Sequence, residues 1–296
     1  MSASTPMIAG IWAHYDDDLL FGVPTIDRAI LAGHGIRQLF LTASDAGSGM
    51  SSYVDGRETG IRAAYDVMRG SSTPWSDRRT VLSNGVAVTT TSPDDDPRIS
   101  LSFLRLPDGG LTGRGWYATE YRTITKLFDG EVSSLTTLDT GQDLTVARLI
   151  TTVAAFVTDA GAGEVLTTLP DFAPASEGDH PDHGGAGRLV AAAVDAGLLD
   201  GASVRYAVGY PGRTWPANLD DEAVARKLSV FAAYGAHDEV VRRDLEAYLA
   251  IPGLGDWLQR EHLIDDHDIA RAPRSSAHAG GDAEAAPGRA RVPGHA

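Results

Sequence analysis

Two short segments, far apart in the chain, concentrate groups that bind metals and move protons: His14-Tyr15-Asp16-Asp17-Asp18 and His180-Pro181-Asp182-His183. Imidazole nitrogen and carboxylate oxygen are both ligands that zinc accepts. His14 and Asp17 from the first segment, with His183 from the second, make a two-histidine, one-carboxylate set with open positions. That is the arrangement of a catalytic rather than a structural metal site. It leaves Asp16 and His180 free to act as general base and general acid. Asp182 remains to accept a ring N–H and fix a histidine tautomer. Each segment alone also has a plain reading, because short motifs match by chance. The first can be a solvated acidic turn with His14 as its partner, and the second a polar surface loop. Against this, three adjacent carboxylates repel unless solvent, a helix N-terminus or a cation offsets them. Pro181 restricts its own backbone and that of His180, so the two imidazoles hold distinct directions.

With the alanine before it, the first segment reads Ala13-His14-Tyr15-Asp16-Asp17-Asp18. It resembles the A-H-P-D-D-E signature of the LmbE-like, or PIG-L, zinc-dependent N-deacetylases, and His180 to His183 carry that family's H-P-D-H signature intact. The resemblance extends over roughly residues 7–240. It implies a Rossmann-like, mostly parallel α/β sheet flanked by helices. It implies one Zn2+ per chain, with another divalent ion such as Fe2+ as the alternative, on His14, Asp17 and His183. Asp16 is then the general base, and His180 assists at the developing oxyanion or the leaving group. An arginine and an aspartate facing the sugar correspond to Arg57, in GRETGIRAAY, and Asp108, in FLRLPDGG. Arg57 can instead be a helix-surface residue paired with Glu58 or a nearby carboxylate, and P-D-G-G is itself a turn signal.

The implied reaction removes an acetyl or similar acyl group from the amide nitrogen of an N-acetylated amino sugar or a glycosylated natural product. An amide of a thiol conjugate is the alternative substrate, and a metal-bearing binding protein without turnover is the alternative class. Four departures bear on this choice. Tyr15 stands in place of proline and Asp18 in place of glutamate. Gly178 stands where some sugar deacetylases carry tyrosine. Of a C-terminal K-x-x-A…S-Q pattern only Lys227 remains, with Ala236 and His237 in place of the polar pair.

The elements needed to position these residues are legible in the apolar patterning. Met7 to Ala13 is an apolar run ending on His14, as expected of a buried strand whose carboxyl end opens into a crevice. Pro24 opens a helix to about Ala32, Ile36 to Thr42 is a second strand, and a helix follows from about Arg57 to Met68. Strands are expected over Val81–Thr91, Ile99–Leu106, Glu164–Thr168 and Ser203–Gly209. Helices are expected over Leu144–Ala160, Gly187–Ala196, Glu222–Tyr234 and Val240–Ala250. Alternating strands and helices point to a parallel sheet covered on both faces. His262, Asp265, Asp266 and His267 read as a solvated helix end. Residues 1–270 are expected to form one α/β catalytic domain, and 271–296, without an aromatic and rich in Ala, Gly, Pro, Ser and Arg, a disordered tail.

Composition removes other classes. None of the 296 residues is cysteine, so disulfides, thiolate metal sites and cysteine nucleophiles are excluded. A formal charge of −15 disfavours a polyanionic partner, so a small-molecule substrate is expected and nucleic acid is not. The absence of a basic n-region and of any run of roughly 18–20 apolar residues points to a cytoplasmic protein without membrane contact. The sequence leaves the oligomeric state open.

Overall fold

The computed structural model describes residues 6–272. In chain order the elements are β1 (Met7–Trp12), α1 (Asp17–Phe21), α2 (Thr25–Leu31), β2 (Gly35–Thr42), α3 (Ser52–Arg69), β3 (Trp75–Val81), β4 (Ala87–Pro93) and β5 (Ile99–Leu106). There follow α4 (Ile124–Phe128), β6 (Leu135–Thr136), β7 (Asp143–Leu144), α5 (Val146–Ala160) and β8 (Glu164–Thr168). The chain continues through α6 (Pro181–Asp195), β9 (Ser203–Ala207), α7 (Asp221–Gly235), α8 (Leu254–Leu258) and β10 (Leu263–Asp265). Eight strands form one sheet in the order β10-β9-β8-β1-β2-β5-β4-β3. The five strands from β9 to β5 are parallel, and β10, β4 and β3 pair antiparallel at the edges. This is the mostly parallel, helix-flanked α/β sheet expected from the sequence.

β1 lies between β2 and β8, buried on both faces, which is why it reads as an unbroken apolar run. Ala9 and Ile11 face one core, shared with Leu149 and Val153 of α5 and Leu189 of α6. Ile8 and Trp12 face the other, shared with Ile61 and Tyr65 of α3 and Phe231 of α7. The chain leaves β1 toward β2 on one side and later returns through β8 on the other. The carboxyl end of β1 is therefore the topological switch point, where open α/β sheets form their crevice. α6 crosses the sheet so closely that a Cβ at Gly187 would collide with the Thr168 carbonyl of β8.

Several boundaries differ from expectation. Val81–Thr91 is not one strand but the end of β3, a turn with Gly85 at φ +84, and the start of β4. α3 begins at Ser52 and α6 at Pro181, each earlier than its apolar periodicity shows. Val240–Ala250 is not an α-helix; a turn precedes a 3-10 helix over Leu245–Ala250. His262 to His267 is not a helix end, because Leu263–Asp265 pairs with β9. Of the expected tail, Arg271 ends a 3-10 helix and Ala272 is buried; the remainder lies outside the described residues. No helix among the described residues is long and apolar enough to cross a membrane.

Candidate metal centre and active site

The first segment is a strand-to-helix turn closed by one of its own carboxylates. Asp17, the first residue of α1, accepts hydrogen bonds at Oδ2 from the backbone N–H groups of Ala13 (3.0 Å) and His14 (2.8 Å). Its Oδ1 lies 3.0 Å from His183 Nε2 and 3.4 Å from His14 Nδ1. Tyr15 replaces the rigidity of a proline with anchoring contacts. Its N–H donates to Ser44 Oγ at 3.0 Å, its hydroxyl donates to Glu58 at 3.2 Å, and its ring packs against Phe40 and Phe103. Asp18 turns into the core, where Tyr65 donates to it at 2.7 Å and burial pushes its carboxyl well above the usual range.

The second segment is the start of α6. His180 is the N-cap, and its Nδ1 accepts the Asp182 N–H at 3.1 Å. A neutral ring with its lone pair spent at Nδ1 carries its proton on Nε2. Burial, reinforced by His14, pulls His180 down to about 4, so it is neutral near pH 7. His183, one turn further on, has Nδ1 2.8 Å from Asp179 Oδ1. Asp179 also accepts the N–H groups of His180 (2.7 Å) and Tyr210 (3.0 Å). That fixed carboxylate takes the Nδ1 proton and leaves the Nε2 lone pair facing Asp17. Asp182, fully buried, accepts the Gly109 N–H at 2.8 Å and lies 3.4 Å from His14 Nε2, the position of a tautomer-fixing partner.

The two distant segments therefore meet. Ring centroids lie 4.6 Å apart for His14 and His180, 5.3 Å for His14 and His183, and 5.1 Å for His180 and His183. Donor atoms of His14, His180 and His183 lie within 4.8 Å of one another, as do those of His14, Asp108, His180 and Asp182; Asp17 meets its two histidines pairwise. Three observations test whether His14, Asp17 and His183 suit a metal. Ligands about 2.0–2.2 Å from a tetrahedral ion lie roughly 3.3–3.5 Å from each other, close to the two Asp17 spacings. Nε2 of His183, the atom that faces Asp17, is buried without a hydrogen-bond partner among the described residues. Finally, burial alone would lower both histidines, yet neighbouring carboxylates lift His14 well above its ordinary value and His183 to about 10. The carboxylates thus demand positive charge at this point, which a divalent ion supplies. The residues fit such an ion. His180 joins the cluster by distance, but the proton on its Nε2 makes it a donor and not a ligand.

Arg57 is not on a helix surface: it is 7% exposed and bonded to Asp16 Oδ1 at 2.7 Å. Asp108 reaches the site, with Oδ2 3.9 Å from His14 Nε2, and also closes its turn by accepting the Gly110 N–H at 2.6 Å. Burial raises the Asp16 carboxyl, against the pull of Arg57. Sequence reasoning missed Asp179, although its spacing of four from His183 across a helix start was a usable signal. It also missed Tyr210, whose ring lies 5.0 Å from that of His183 and stacks on Trp257 at 4.4 Å. No local pattern marks Tyr210, because β9 brings it in.

No family model and no curated sequence matches the chain. Among solved structures it is similar to N,N'-diacetylchitobiose deacetylase from Pyrococcus horikoshii, at 11% identity and a TM-score of 0.50, over 93% of this chain and 88% of that one. It is also similar to the A40926 pseudoaglycone deacetylase (15% identity, 84% and 85% covered, TM-score 0.46) and to a conserved protein of Thermus thermophilus (17%, 89% and 95%, 0.47). At such identities the likeness is one of fold, a mostly parallel α/β sheet flanked by helices, which in this chain brings the two polar segments side by side.

Proposed function

We propose that this chain is a zinc-dependent N-deacetylase that cleaves the acetamide of an N-acetylated amino sugar or a glycosylated natural product. The observation that carries the reading is the meeting of His14 and Asp17 with His183, whose buried Nε2 has no hydrogen-bond partner among the described residues. A divalent ion held there would polarise a carbonyl and acidify water. Asp16 has Oδ1 engaged by Arg57, so Oδ2 is the oxygen that takes the proton of the attacking water. His180 presents an N–H in a buried pocket, which suits a developing oxyanion. A ring protonated on Nε2 and neutral overall is a poor source of a proton for the leaving amine, so Asp16 returns the one it took. The likeness in fold to a diacetylchitobiose deacetylase supports a sugar substrate. A net charge of −15 suits a small neutral substrate better than nucleic acid.

The test is acetate release by the metal-loaded full chain from N-acetylglucosamine, N,N'-diacetylchitobiose and a thiol-conjugate amide, with metal content measured in parallel. Sugar-dependent release with about one metal per chain is expected. Turnover of the thiol conjugate alone would move the assignment to an amidase. Tight sugar binding without turnover would leave a binding protein.

A further inference from the structure

Each guanidinium nitrogen of Arg57 already donates to a partner inside the protein, three of its five N–H groups being used in this way. Its Nη2 donates to Asp16 Oδ1 at 2.7 Å, Nη1 to the Ser44 carbonyl at 3.0 Å and Nε to the Tyr234 hydroxyl at 2.6 Å. Asp238 Oδ2 lies 3.2 Å from Nε and accepts the Tyr234 hydroxyl at 2.7 Å. The rings of Tyr53 and Tyr234 lie 5.7 and 5.9 Å from the guanidinium carbon. Tyr234 is fully buried and Asp238 is 1% exposed. Asp238 is itself fixed, because its Oδ1 accepts the N–H groups of Val240 and Val241 at 2.9 and 3.3 Å.

This arrangement exists because α3 and the end of α7 approach closely. A Cβ at Gly60 would sit 2.7 Å from the Tyr234 carbonyl oxygen, and one at Gly56 2.6 Å from that of His237. Two glycines one turn apart on α3 thus admit the segment that carries Tyr234 and Asp238. Asp238 directly follows Ala236 and His237, the two residues that stand in place of the S-Q pair of the resembled pattern.

We infer that Tyr234 and Asp238 are positioning residues that act through Arg57 on Asp16, so that the end of α7 sets the direction of the general base and Arg57 does not bind substrate. This rests on the deacetylase reading for the role of Asp16. A guanidinium held at Nε and Nη1 can present Nη2 in one direction only, and the Asp16 oxygen that remains free is thereby turned to the pocket.

Y234F removes the hydroxyl between Nε and Asp238 with little change of shape, and D238N keeps the backbone bonds while removing the charge. Each variant is expected to lower kcat about tenfold with KM within about twofold and metal content unchanged, the mark of misplacement and not of lost binding. Crystal structures of the two variants should show the guanidinium displaced from Asp16. A rise in KM at constant kcat would overturn the inference and return Arg57 to the substrate. So would kcat within about twofold of wild type in both variants. Should the wild type release no acetate from any substrate, the functional reading fails. The crystal structures then still decide the relay, since an Arg57–Asp16 contact retained in both variants refutes it.

Discussion

Lys227 and His183 are both fully buried ionisable groups, and the protein surrounds them in opposite ways. Lys227, on α7, directs its ammonium at three backbone carbonyls: Leu20 at 2.6 Å, Trp257 at 2.9 Å and Arg260 at 2.6 Å. Every N–H is answered. Burial draws its pKa down to about 7, with Glu261 opposing, and the group ties α1, α7 and α8 together. Around His183 the account stays open: its Nε2 and Oδ1 of Asp182 are buried without a hydrogen-bond partner among the described residues. A satisfied buried charge serves cohesion, whereas unsatisfied polar atoms gathered in one crevice are left for a ligand.

Variants on the two sides should fail differently. H183A is expected to cost the most, losing stoichiometric metal and at least about 10³ in kcat/KM while the protein stays folded. A variant with full metal content would show that His183 belongs with the cohesive residues. D16N should keep the metal and lose about 10²–10⁴ in kcat, read from acetate release at saturating substrate. K227M strands three carbonyls, each worth about 1–3 kcal/mol, while relieving a buried charge. A net loss of roughly 3 kcal/mol in denaturant titration is expected, with kcat per folded molecule unchanged. Lower kcat at unchanged stability would erase the distinction drawn between the two regions. D179A spares every proposed ligand but takes away the acceptor that sets the His183 tautomer, so metal affinity should weaken about 10–100-fold in a competition titration.

The cohesive framework was largely legible in the sequence, because burial on both faces writes itself as apolar runs. β2 falls within one residue of expectation, and β5 and β8 coincide with it. The residues of the candidate metal centre stood out because two short segments concentrate them. The second segment was misread in one respect: Pro181 and Asp182 belong to α6, with His180 as its cap, and a capping imidazole is an uncommon signal. What stayed hidden was every contact made by a side chain whose partner arrives from a distant element. Arg57 suggests a surface helix or a sugar until α7 brings Tyr234 and Asp238 onto it, and Tyr210 suggests nothing until β9 brings it against His183. Val240–Ala250 carries helical periodicity, but Asp238 accepts two successive N–H groups there and turns the chain instead.

Beside Asp108 the crevice has an aromatic rim. Asp45 ties the loops after β2 and β5 together by accepting the N–H groups of Asp108 at 3.1 Å and Gly49 at 2.9 Å. Trp116 packs across both loops: a Cβ at Gly47 would lie 2.5 Å from its indole and one at Gly110 3.2 Å, so the absence of side chains there makes its seat. The indole remains 38% exposed, and the Gly110 beneath it is bonded to Asp108, whose carboxylate reaches His14. An indole beside a carboxylate offers a sugar ring an apolar face to stack on and an acceptor for its hydroxyls. On that geometry W116A should raise KM for N,N'-diacetylchitobiose about fivefold, leave kcat unchanged, and alter KM for N-acetylglucosamine by less than about twofold, as expected for lost stacking of about 1 kcal/mol. An equal rise for both sugars would place the indole against the reacting ring. A fall in kcat would instead make Trp116 a strut that holds Asp108 near His14.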